Sequence, residues 1–258
     1  MKRPFRRKGP AEATATMSLM DHLRELRTRL FKCACAILVA GVVVYFFFDQ
    51  ITEFALRPYC EAIAKTTKSE CKLLYLDAFD PFTMRLRVAT YGGMVLASPV
   101  LFWQLWSFIA PGLYKKERRY ASAFVFSSVV LFSLGAALAY ISLPEIYGWL
   151  LGQAPPSSEV VNQAQTYFEK LALMVAAFGL SFEFPLLLLV AQMVGLVTPD
   201  KLAAVRRHAI VGIVTVVAVI TPGGDPVSLF ALSIPLCLFY EASIWIARLL
   251  KRRKPAPQ

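Results

Sequence analysis

Apolar residues along this chain fall into long runs rather than into the short alternations of a water-soluble core. Such series occupy residues 31–48, 88–110, 121–143, 171–194, 209–220 and 227–247. All but one approach the ~20 residues that carry a helix across a ~30 Å hydrocarbon layer. The exception, 209–220, has only 12 residues, about 18 Å of helix at ~1.5 Å per residue. A span that short requires local thinning of the bilayer, water drawn inward or shelter against neighbours. Thinning on the outer side is expected, because Arg206, Arg207 and His208 hold its other end at the inner surface. The pattern predicts an all-α integral membrane protein with six transmembrane helices in a single membrane domain over 17–250. Before the first run, Leu19, Leu23, Leu26 and Leu30 form one stripe, with Ser18 and Asp21 as a capping pair, which predicts an amphipathic helix on the inner membrane surface. Residues 1–16 are basic and poor in large apolar side chains, so a disordered tail is expected there, and 251–258 reads as a second basic tail.

Composition agrees with this reading. Hydrophobic residues make up 57% of the chain, and mean hydropathy is +0.54. The net charge of +11 would suggest a nucleic-acid binder in a soluble protein. Here 21 of the 28 Lys and Arg residues fall in the two tails, the Leu19 stripe and the stretches after the second and fourth runs. Cytoplasmic loops collect cations in this way, so both termini are expected in the cytoplasm. No small-residue cleavage site follows the first run, and the first span is expected to stay in the protein.

Catalytic signatures are missing. The two histidines, His22 and His208, lie far apart, and no HExxH, CxxC or P-loop pattern occurs, so no catalytic, metal or cofactor site is expected. Cys33, Cys35 and Cys237 sit in apolar runs as small fillers. Cys60 and Cys71 share the first loop on the outer side, where their spacing permits a disulfide without requiring one.

Four polar features interrupt this apolar background. In 102–119, FWQLWSFIAPGLYKKERR, Trp103 and Trp106 are three apart as at a headgroup boundary, Pro111 stops a helix, and Glu117 stands alone among four cations. Glu25 can pair with Arg29 at i,i+4, or a carboxylate here can receive an arginine from elsewhere. Glu183 lies inside an apolar run, where a charge is costly enough to demand a protein or water neighbour. Asp225, in the turn TPGGDP over 221–226, is expected to accept hydrogen bonds from the turn backbone.

The 102–119 segment resembles the first cytoplasmic loop of TatC, the multispanning subunit of the twin-arginine protein translocase. Similar matches are His22-Leu23-Arg24-Glu25-Leu26-Arg27, Phe182-Glu183-Phe184-Pro185, and Thr221-Pro222 followed by Asp225 and Pro235. Together they extend over 18–250 in the family's order. The resemblance implies a concave scaffold in a bacterial cytoplasmic membrane that recognises twin-arginine signal peptides. Folded proteins would be moved with TatA- and TatB-type single-span partners, within a complex holding several copies of the chain, driven by the proton-motive force. It implies a recognition patch of Glu25, Arg27, Phe108, Pro111 and Glu117, in which the two carboxylates pair with the arginines and Phe108 packs the rest of the motif. Glu183, Thr221 and Asp225 become contacts for partner helices, although Leu229 stands where some family members have a polar residue. The rival reading is a proton-coupled transporter of a small solute relayed by Glu183. That class favours a lined path and paired broken helices, whereas the only other acid in the late runs, Glu241, lies toward an end and no repeat relates the halves.

Overall fold

The computed structural model describes residues 19–66, 71, 73–109, 121–155, 163–221 and 224–252. Its helices are α1 (Leu19–Phe46), α2 (Phe48–Thr66), α3 (Asp80–Leu96), α4 (Ser98–Ile109), α5 (Ala121–Leu151), α6 (Ala164–Phe182), α7 (Phe184–Met193), α8 (Pro199–Ala204), α9 (Arg206–Ile220) and α10 (Pro226–Arg252). Among the described residues, β structure is limited to a parallel bridge between Leu74 and Gln163.

The all-helical expectation holds, while the helix bounds differ in instructive ways. The Leu19 stripe and the first apolar run form one continuous rod of 28 residues, α1, because nothing between Leu30 and Phe31 breaks a helix. The second run starts earlier than expected, at Asp80, and bends by 51° between α3 and α4. Pro99 stands in the first turn of α4 and has no N–H to extend the ladder across that break. The third run continues to Leu151 through Pro144. The fourth breaks at Glu183, with Pro185 opening α7. Among the described residues, four helical stretches are long and apolar enough to cross a membrane, or five with the bent α3–α4 pair taken as one span. The 15-residue α9 falls short of that length. Side chains such as Leu38, Val219 and Trp245 lie exposed on the bundle surface, as lipid contact requires and water disfavours.

Two backbone approaches set the packing. A Cβ added at Gly93 on α3 would lie 2.8 Å from the Gly41 Cα and N on α1. One added at Gly135 on α5 would lie 2.6 Å from the Phe178 carbonyl oxygen and 2.9 Å from the Gly179 Cα on α6. Lipid offers little hydrophobic drive for helix association, so close backbone contact through small residues takes its place.

At the end of the bundle distant from Glu25, short polar ties lock the loops. Cys60 and Cys71 are joined by a disulfide with Cα atoms 5.1 Å apart. Pro58 inside α2 deprives the Phe54 carbonyl of its usual donor, and the Tyr140 hydroxyl donates to it at 2.8 Å. The Asp80 carboxylate accepts from the Leu76 and Asp77 N–H groups at 2.8 and 3.1 Å, and from the Gln165 side-chain amide at 2.7 Å. That one side chain therefore fastens the loop before α3 to the start of α6.

The glycine crossings lead to opposite expectations for one substitution. Gly135→Ala should lower the thermal unfolding midpoint of the detergent-solubilised protein, since overpacking of about 1–3 kcal/mol exceeds a helix-propensity gain of ~1 kcal/mol. Gly212→Ala, where no atom lies within 4 Å of the added Cβ, should leave the midpoint unchanged or raise it. Midpoint shifts of the same sign and size would discard this account of the packing.

Candidate functional site

The bend between α3 and α4 turns the end of α4 back against the start of α1. Contact is made chiefly by Arg29. Its guanidinium donates to Glu25 Oε1 through Nη2 at 2.5 Å and Nε at 3.0 Å. It also donates through Nη2 to the Ser107 carbonyl at 3.1 Å. A longer contact from Nη1, at 3.4 Å, reaches the Gln104 carbonyl and side-chain oxygens. The terminal carbonyls of a helix lack intrahelical donors and carry partial negative charge, so a cation is favoured at that place. One turn before Arg29's partner on α1, His22 stacks on Phe108 with ring centroids 4.6 Å apart.

Glu25 and Phe108 thus share one patch, both half-buried, through Arg29 and His22. Arg27 is exposed; two residues from Glu25, it leaves the helix in a different direction. Pro111 and Glu117 lie outside the described residues. Sequence reading had treated the Glu25–Arg29 pair as an alternative to a functional role and did not foresee that Arg29 would reach α4. The i,i+4 spacing displayed the pair; the third partner, some 75 residues away, has no sequence signal.

The same turn of α4 is held from its other side. Trp106 is buried, stacks on Phe124 with centroids 5.2 Å apart, and donates through its indole N–H to the Ser128 hydroxyl at 2.7 Å. Ser128 in turn donates to Glu183 Oε2 at 2.7 Å. Trp103, by contrast, is exposed, so the two tryptophans do not share one boundary role. Glu183 is buried at the α6–α7 break, and its Oε1 has no hydrogen-bond partner among the described residues. Ser128, enclosed in α5, is the residue sequence reasoning missed, because a lone Ser in an apolar run carries no periodic signal.

Thr221 and Asp225 lie elsewhere, at the α9–α10 turn, and both are buried. The Thr221 hydroxyl donates to the Val217 carbonyl. Asp225 accepts from the Ser228 N–H at 2.6 Å and from the Ser228 hydroxyl. These described hydrogen bonds come from the first turn of α10, since a residue just before a helix faces N–H groups left without partners; Pro222 and Gly223 of the preceding turn lie outside the described residues.

Between α1, α3, α4 and α6 an open, mostly apolar cavity of about 920 Å³ adjoins the patch, with Leu26, Arg29, Leu30, Leu105 and Phe108 in its lining.

Comparison with known proteins gives one consistent result. The family model for TatC, Sec-independent protein translocase protein, matches residues 21–235. The chain is 38% identical over 244 residues to the Sec-independent protein translocase protein TatC of Frankia casuarinae, covering 92% of this chain and 67% of that one. It is 36% identical over 237 residues to the protein of the same name from Magnetococcus marinus, covering 92% and 86%. Among solved structures, the crystal structure of a twin arginine translocase receptor, TatC, aligns with a TM-score of 0.72 at 33% identity, covering 90% of this chain and all of that one.

Ser128 satisfies two buried groups at once, and that sets the expected effect of removing it. Ser128→Ala should destabilise the protein by about 2–4 kcal/mol, because it leaves the Trp106 N–H and Glu183 Oε2 without their partner. Thermal unfolding of the purified protein in detergent measures this. An unchanged midpoint would show that the hydrogen-bond chain contributes nothing to stability.

Proposed function

Since the chain belongs to the TatC family of Sec-independent protein translocase proteins and is thereby a multi-pass membrane component of the twin-arginine translocase, we propose that its Glu25–Phe108 patch recognises twin-arginine signal peptides. One observation carries this reading: the end of α4 docks on the start of α1, placing a carboxylate and an aromatic ring in one patch beside an apolar cavity.

The chemistry suits a peptide with two adjacent guanidinium groups. Arginine binds carboxylates through paired N–H donors, an arrangement a lysine ammonium cannot reproduce. Glu25 serves one arginine, and Glu117, in the segment following α4, serves the other. Phe108 and the apolar wall of the cavity receive the uncharged residues of the motif, with Pro111 as a further member of the patch. Arg27 stays at the surface near the peptide backbone.

The remaining parts of the reading follow from this role. The chain crosses a bacterial cytoplasmic membrane six times, with α9 as the short fifth span, and keeps both termini in the cytoplasm, in accord with its cation distribution. Single-span partners of the TatA and TatB type assemble on its helices, with Glu183, Thr221 and Asp225 near their contacts, several copies of the chain share one complex, and the proton-motive force supplies the work.

Photo-crosslinking tests the patch. A photoreactive residue replacing Phe108 or, separately, Glu117 should crosslink in membranes to a substrate carrying a twin-arginine signal, and both crosslinks should disappear with a twin-lysine signal. Absence of crosslinks from both positions in a folded, membrane-inserted protein would remove the assignment.

A further inference from the structure

We propose that Arg29 is a positioning residue for recognition: it fixes the Glu25 carboxylate against the end of α4 by one oxygen and leaves the other to bind an incoming guanidinium. The inference rests on the recognition role given to Glu25 above and adds the device that makes this carboxylate selective.

The arrangement of donors carries it. Both Arg29 contacts to Glu25, from Nε and Nη2, converge on Oε1. Among the described residues no hydrogen bond reaches Oε2. The same guanidinium grips the Ser107 carbonyl, one residue before Phe108, so the carboxylate and the aromatic ring are held at a fixed separation. The pair is only partly open to solvent, with side-chain exposures of 20% for Arg29 and 26% for Glu25. An ion pair of that kind keeps its geometry better than a solvated surface pair. A free glutamate on an exposed helix would rotate among several conformers, and a bound arginine would have to immobilise it. Arg29 removes that freedom in advance, which is the usual route by which preorganisation raises affinity and selectivity.

A planar fork is needed for this task. Lys at position 29 keeps the charge and can approach Glu25, but its compact ammonium lacks the fixed fan of donors that reaches Oε1 and the α4 carbonyl together. The conservative variant therefore separates positioning from mere neutralisation of charge.

The experiment measures binding of fluorescent twin-arginine and twin-lysine signal peptides to the full chain in nanodiscs, for wild type, Arg29→Lys, Glu25→Gln and the double variant, with thermal unfolding followed in parallel. Loss of one charged hydrogen-bonding arrangement corresponds to roughly ten-fold in affinity. Arg29→Lys is expected to weaken the twin-arginine peptide by about that factor, to reduce its preference over the twin-lysine peptide and to leave the unfolding midpoint near wild type. In the Glu25→Gln background the same change should have an effect of less than about two-fold, because Arg29 acts through Glu25. Equal losses in both backgrounds, or wild-type binding by Arg29→Lys, would overturn the proposal. Tighter binding by Arg29→Lys would also overturn it, by showing that Arg29 merely occupies the ligand's place. Should the wild-type chain itself fail to distinguish the two peptides, the recognition role of the patch falls instead, and the two failures are thereby told apart.

Discussion

The last turn of α4 is the constraint on which the arrangement of this protein depends. On one side Arg29 and His22 of α1 hold Ser107 and Phe108; on the other, Trp106 is anchored through Ser128 to Glu183. A helix end of this kind would otherwise present carbonyls to lipid or headgroups without donors, at a cost of a few kcal/mol for each one buried. Here the Ser107 carbonyl is tied to α1, while the Trp106 side chain ties the same turn to α5 and the α6–α7 break. The Gly41–Gly93 crossing makes this feasible, because it sets how closely α1 lies against α3 and hence where the bent continuation of α3 must arrive.

Opposite ends of the molecule are stabilised by different means. The Glu25 end relies on one charged side chain bridging two helices. The Cys60 end relies on a covalent link, the Asp80 carboxylate and a tyrosine hydroxyl that serves the carbonyl freed by Pro58 in α2.

Much of the fold was legible in the sequence because lipid imposes a simple rule: a helix must stay apolar over its full crossing. The runs that became α5 and α10 were visible for that reason, as was the singular character of Glu183, whose burial follows from its place in an apolar run. Helix ends were less legible. Proline did not stop α5 at Pro144 or α10 at Pro235, whereas Pro99 and Pro185 coincide with real breaks. Within the candidate site, Glu25 and Phe108 could be picked out one by one, yet their union through Arg29 could not. A contact between residues 29 and 107 is a product of the α3–α4 bend, and the bend angle has no counterpart in periodicity.

The direction of hydrogen bonding at Glu183 has a consequence of its own. An indole N–H only donates, so Ser128 spends one lone pair on Trp106, and in this arrangement its own hydrogen points to Glu183 Oε2. With Oε2 so engaged, a proton resident on this side chain is placed on Oε1, which has no hydrogen-bond partner among the described residues. The indole of α4, two residues from Phe108, is thereby linked through one hydroxyl to an acid buried in the membrane-spanning bundle.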